Sequence, residues 1–199
     1  DMKYLKERIT DEVIIRKSRF ITVVIPIEDE TEISGILNDI RKEYPKATHY
    51  CYAYLLGSEG QFGGSNDDGE PAGTAGVPIL EVLKHNEVTN VLAVVIRYYG
   101  GIKLGAGGLV RAYSGGAAEA LKLGQYYENI KAQKYEIRFR YDQINDVEYL
   151  LKDYLILDRV YESNVSFTIA VKKENDFESI KHHFSKIKKL EEILLAIDI

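Results

Sequence analysis

Three stretches of the chain hold residue types that could do chemistry. The first, Ile96 to Tyr113, reads IRYYGGIKLGAGGLVRAY. A strand ending at Arg97, a glycine loop and a helix starting near Ala106 to Gly108 make the anatomy of an anion site. Glycines let successive N–H groups turn into one concavity, and a helix N-terminus adds about half a positive charge. Gly100, Gly101, Gly105, Gly107 and Gly108 supply the backbone, while Arg97, Lys103 and Arg111 have no acidic residue among them. A phosphate suits such a loop. The spacing fits neither the P-loop nor the dinucleotide-binding pattern, and a tight strand-to-helix connection accounts for the same glycines without a ligand.

The second stretch, Gly63 to Leu80, reads GGSNDDGEPAGTAGVPIL and sets Asp67, Asp68 and Glu70 close together. Carboxylates this near repel one another and bind protons more tightly unless a cation or a basic side chain offsets them. Three readings stay open: a solvated turn with Asx-type caps, a hard-metal site, and a charge pair across to the basic loop. The calcium-loop spacing is absent. The third stretch places His49 and Cys51 two residues apart, on one face of a strand. They suggest a nucleophile with its base or half a zinc site, but no second cysteine or ligand pair completes it, so buried structural residues are the expectation. Tyr50, Tyr52 and Tyr54 occupy the opposite face, where a packed sheet is more usual than base stacking.

Positioning these residues falls to a glycine-rich first part of the chain. Seven of the 16 glycines lie in Gly57 to Gly76 and seven in Gly100 to Gly116. A hairpin is predicted from Glu12 to Arg16 and Phe20 to Ile27, turning at Lys17, Ser18 and Arg19. A helix follows from Thr31, with Ile33, Ile36, Leu37 and Ile40 at helical spacing. Thr48 to Leu56 and Val91 to Arg97 read as strands, Pro78 to Leu83 opens a helix, and Leu109 to Leu123 is helical.

After about residue 130 glycine and proline vanish. Tyr135, Ile137, Phe139 and Tyr141 alternate as a strand, and Ile144, Val147, Leu150, Leu151 and Tyr154 follow at helical spacing. Strand-like runs return at Leu155 to Tyr161 and Val165 to Val171. Phe177, Ile180, Phe184 and Ile187 mark a second helix, and Glu192 to Ile199 a last strand. The order βαββαβ is that of a ferredoxin-like sandwich. The expected fold class is thus α+β: an α/β sandwich over residues 1–130, then a ferredoxin-like domain over 131–199.

A chain that is 45% apolar and 29% charged can build a core without metals or disulfides. Its net charge of -5 argues against a protein that coats nucleic acid indiscriminately, though not against a local basic site. One cysteine and no charged-then-apolar leader point to the cytoplasm. No apolar run approaches the roughly 20 residues of a membrane-spanning helix.

Four ordered segments, Ser18 to Phe20, His49 to Tyr54, Asp67 to Leu80 and Val95 to Tyr113, resemble the Impact family over about residues 1–125, and the tail resembles the small C-terminal domain of bacterial members. The resemblance implies a first domain folded like the second domain of a small-subunit ribosomal protein and domain IV of elongation factor G. For the tail it implies the ferredoxin-like domain V of the same factor. Eukaryotic relatives are translational regulators that compete for the activator of an initiation-factor kinase. The N-terminal domain carrying that contact is not expected here, so the kinase role is not carried over. Positions matching the shared domain are Asp67, Asp68, Glu70, Arg97, Gly100, Gly101, Lys103, Gly105, Gly107, Gly108 and Arg111, and no catalytic assignment comes with them.

The expected function is a regulatory binding protein of translation or stress response, presenting the basic glycine loop to RNA or a ribosomal surface. No cofactor, metal or membrane is expected. Two alternatives remain: a magnesium-assisted enzyme acting on a small phosphorylated substrate through Asp67, Asp68 or Glu70, and a module that binds only protein.

Overall fold

The computed structural model describes residues 1–199, and the architecture is mixed α+β. The chain divides into two compact units, Asp1–Glu128 with Asp198–Ile199, and Asn129–Ile197.

The first unit is built on a five-stranded antiparallel sheet. Its strands are β2 (Ile9–Ile15), β3 (Ser18–Pro26), β4 (His49–Leu56), β5 (Phe62–Asn66) and β7 (Val91–Tyr98), in the order β2-β3-β7-β4-β5. Two short strands, β1 (Lys3–Leu5) and β6 (Val88–Thr89), pair with each other in parallel. β1 also pairs with Tyr126 and Tyr127 at the start of β8 (Tyr126–Phe139). Helix α1 (Ile33–Glu43) covers one face of the larger sheet through Ile33, Leu37 and Ile40. Helices α2 (Gly76–His85) and α3 (Gly105–Leu121) cover the other through Ile79, Leu83, Leu109, Tyr113 and Ala117. Burial on both faces is why Val91 to Ile96 is an unbroken apolar run rather than an alternating one.

The hairpin turns at Arg16 and Lys17, not at Lys17 to Arg19, since Ile15 pairs directly with Ser18. Both turn residues are left-handed, with φ of 46° and 65°. Two such residues give the hairpin turn whose twist matches its strands, and Asn-Gly is the preferred occupant. Holding side chains other than glycine there costs roughly 1–2 kcal/mol per residue. The turn is pressed against the glycine loop: a Cβ on Gly100 would stand 2.1 Å from the Lys17 carbonyl carbon.

In the second unit the strands are β8, β9 (Leu155–Tyr161), β10 (Val165–Lys172) and β11 (Lys186–Asp198), in the order β11-β8-β10-β9. The last strand beside the first and the second at the far edge is the ferredoxin-like arrangement. Helix α4 (Ile144–Leu150) packs Val147 against Ile137, Phe139 and Phe167. The expected second helix is absent: Phe177 to Ser185 folds as turns with a single 3-10 turn at Lys181–His183, and β11, which takes in Ile187, begins at Lys186 instead of Glu192. Phe177, Ile180 and Phe184 still pack into the core. The apolar spacing therefore reported which side chains are buried and not the backbone that carries them. β8 offers a long edge that β11 occupies, beginning where the Ser185 N–H donates to the Arg138 carbonyl at 2.9 Å.

The contact at Gly100 is backbone on backbone, so a methyl group there must push the turn and the loop apart. Gly100→Ala is expected to lower stability by about 1–3 kcal/mol, the usual cost of overpacking, read as a lower urea midpoint at unchanged slope. An unchanged midpoint would show that the turn yields freely.

Candidate functional site

The loop after β5 and the end of β7 deliver the acidic and basic residues to one end of the five-stranded sheet. Within the loop, Asp67 caps a helix. Its Oδ1 accepts the N–H groups of Ala75 at 3.1 Å and Gly76 at 2.8 Å, and its Oδ2 that of Gly73 at 3.0 Å. These donors open α2, whose N-terminal residue Ala75 has no side-chain cap of its own. Partial burial opposes ionisation of Asp67, but the Gly73, Gly76 and Ala75 donors outweigh it and hold the carboxyl below its ordinary value. Asp68, left-handed at φ 40°, accepts the Tyr50 N–H at 2.8 Å, and its carbonyl faces His49 Nδ1 at 2.7 Å. Asp67 thus spends both carboxylate oxygens, and Asp68 one of its two, on backbone donors.

Glu70 does something different. It is buried, and both carboxylate oxygens take the Arg97 guanidinium, at 3.1 and 2.9 Å. The hydroxyl of fully buried Tyr113 donates to Oε2, and His49 Nε2 lies 3.2 Å from Oε1. Arg97 also reaches the Ser18 hydroxyl at 3.4 Å, and that hydroxyl accepts the Gly100 N–H at 3.2 Å. One buried pair therefore ties β3, β4, β7, α3 and both glycine-rich loops together.

Cys51 and Tyr113 sit behind this pair. Burial pushes the Cys51 thiol up to about 12, and its sulfur lies 3.0 Å from the Asp67 carbonyl oxygen as a donor. Burial likewise raises Tyr113, with Cys51 and Glu70 adding to it. A thiol this reluctant to ionise has none of the thiolate character a nucleophile needs. Tyr50, Tyr52 and Tyr54 pack against the α1 core, with the Tyr50 hydroxyl donating to the Tyr44 carbonyl at 2.6 Å and that of Tyr54 to Glu30 at 2.9 Å.

In front of the pair lies a cleft of about 420 Å³, lined by His49, Glu70, Arg97, Tyr99, Lys103 and the first turn of α3 among others. Gly105 opens that helix with φ of 75°, a conformation that suits glycine. No side chain caps the helix and no acid stands in its first turn, so its leading N–H groups and its dipole are uncompensated. Gly107 and Gly108 lie inside this first turn rather than before it, and exposed Gly101 adopts φ of 85° in the preceding loop.

The basic residues separate. Lys103 lines the cleft and makes no ion pair, whereas Arg97 is consumed by Glu70. Arg111 points elsewhere, into a smaller concavity of about 280 Å³ with Arg16, Ile15 and Leu104. Its guanidinium lies over the first turn of α3, 3.3 Å from where a Cβ of Gly107 would stand. Sequence reading missed Arg16, Lys17, Ser18 and Tyr99 as neighbours of the loop. Positions 18 and 100 meet across 82 residues, a separation that leaves no local pattern to read.

Two outcomes test this arrangement. Removing one partner of a buried pair strands the other charge, so Glu70→Leu is expected to cost about 3–5 kcal/mol in urea unfolding, and adding Arg97→Met to recover most of it. A double variant no more stable than the single one would contradict the pairing. Asp67→Ala should cost about 1–2 kcal/mol at neutral pH, as lost caps do. Because the folded carboxyl is held low, that difference is complete above the unfolded value of about 3.9 and shrinks as pH falls through the lower folded value. A difference that instead grows in acid would reverse the assignment.

The chain is similar in sequence to known proteins. The model of the Impact N-terminal domain matches residues 16–121. The IMPACT family member YvyE of Bacillus subtilis (strain 168) is 39% identical over 172 residues, covering 85% of this chain and 79% of that protein. The IMPACT family member YigZ of Escherichia coli (strain K12) is 39% identical over 161 residues, 79% of each chain. A crystal structure of a hypothetical protein, 33% identical, superposes with a TM-score of 0.62 over 98% of this chain and 97% of its own. The chain therefore belongs to the Impact family.

Proposed function

We propose that the chain is a regulatory binding protein of translation that holds RNA, ribosomal RNA included, at the N-terminal end of α3. The observation that carries the reading is a set of cations without partners in two neighbouring concavities at the uncapped start of α3, Lys103 in one and Arg111 with Arg16 in the other. Lys103, Arg111, Arg16 and Lys17 make no ion pair, although acidic residues outnumber basic ones by 31 to 26 in the chain. Like charges beside the positive end of a helix repel it and one another. A phosphate backbone relieves both at once, and Arg16 and Lys17 are held at the hairpin turn in left-handed conformations. The family resemblance supplies the cellular setting, since eukaryotic relatives regulate translation.

The reading as a magnesium-assisted enzyme has less support. It needs Asp67, Asp68 or Glu70 for a cation, whereas both Asp67 oxygens and one Asp68 oxygen accept backbone N–H donors and Glu70 is paired with Arg97.

The test is anisotropy of a labelled RNA with the full chain, and cosedimentation with purified ribosomes, from about 50 to 200 mM salt. Binding should weaken steeply with salt. Lys103→Ala with Arg111→Ala should weaken it tenfold or more and lower the log–log salt slope by about two, one for each lost phosphate contact. No binding at low salt, or binding indifferent to the double change, overturns the reading.

A further inference from the structure

A surface that took only phosphates would have no use for the cleft beside it. That cleft, about 420 Å³ and bounded by Pro71, Leu104, Ala106 and Leu109, is walled largely by apolar groups. Its volume falls in the range of roughly 300–1,000 Å³ typical of sites that enclose a small organic group. The ligand that fits carries a flat, weakly polar part together with an anion.

Two aromatic rings stand on the cleft wall, the His49 imidazole facing Glu70 and the phenol of Tyr99, which is 46% exposed. Its position is held from behind. The Arg97 guanidinium lies 5.2 Å from the Tyr99 ring centre and 5.5 Å from that of buried Phe20, so the cation sits within reach of both rings. Arg97 is itself anchored by Glu70 at 2.9 Å. The Tyr99 backbone is pinned as well, its N–H donating to the Thr48 hydroxyl at 3.0 Å. An aromatic plane so fixed and still half exposed is the form of a stacking platform for a base. Lys103 and the uncapped start of α3 border the same cleft, at the place where the phosphate of a stacked nucleotide would find its donors.

We infer that the cleft holds one unpaired nucleotide, its base stacked on Tyr99 and its phosphate at Lys103 and the α3 N-terminus. The inference rests on the RNA-binding reading above and narrows it to single-stranded RNA. A paired base is already stacked within its helix and cannot enter; only a strand end, loop or bulge can splay a base into the cleft.

The experiment uses the full chain and three probes: a labelled oligouridylate, the same label on an RNA duplex, and uridine monophosphate as competitor. The native protein should prefer the single strand. Tyr99→Ala should weaken single-strand binding about 5- to 100-fold, the range that loss of one stacked base implies, with the salt slope unchanged, and Tyr99→Phe should restore it. The native chain has no tryptophan, so Tyr99→Trp places a lone reporter whose fluorescence the oligouridylate should quench. Equal affinity of Tyr99→Ala and native protein for the single strand, at an intact salt slope, overturns the stacking inference and leaves the phosphate reading standing. Competition by uridine monophosphate as effective as by the oligouridylate also overturns it, since the cleft would then be a mononucleotide site. Absence of any RNA binding by the native protein removes the reading on which it rests.

Discussion

Glu70 and Arg97 carry opposite charges into a place with little access to water, and each is tolerable there only because the other is present. Their mutual attraction fixes where the acidic loop must end and where β7 must stop. Because Tyr113 donates to the same carboxylate and Ser18 stands beside the same guanidinium, α3 and the hairpin are held to it too. A buried pair of this kind contributes geometry more dependably than stability. Packing of α2 and α3 on one face brings the two glycine-rich loops to the same side of the sheet, and the pair fixes how they meet there.

The division of labour around the pair follows from the number of hydrogen bonds each oxygen can accept. Asp67 saturates the start of α2, so that helix has no appetite for an anion. The start of α3 has no such carboxylate and keeps its positive end open. Two helices on one face of one sheet thus have opposite electrostatic character at their N-termini, decided by the placement of a single aspartate. Cys51 and Tyr113 fill the space between them as neutral groups.

Much of this was legible in the residues. Val91 to Arg97 announced a β-branched strand, and the glycines before Leu109 announced a tight entry into a helix. The acidic run left a turn with caps, a hard-metal site and a charge pair open, and Asp67 takes the capping role while Glu70 takes the charge pair. Which acid would do which was beyond reach, because Glu70 and Arg97 lie 27 residues apart and meet only through the path of the loop. The tyrosines with a conspicuous pattern, at 50, 52 and 54, pack against a helix. Tyr99 has no pattern at all, and its exposure follows from its place just beyond the end of a strand. At Phe177 to Phe184 the side-chain spacing was informative and the inferred backbone was not: three apolar residues can reach a core from turns as well as from a helix.

The turn at Arg16 and Lys17 has a consequence for how such a chain could change. Asn-Gly would relieve the backbone there and tighten the hairpin. Every mutational step toward ease at this spot also discards positive charge from the edge of the basic surface. Selection for heat resistance alone would travel down that path quickly. In laboratory evolution, how long two long cations persist at these left-handed positions is therefore a gauge of whether their charge is needed.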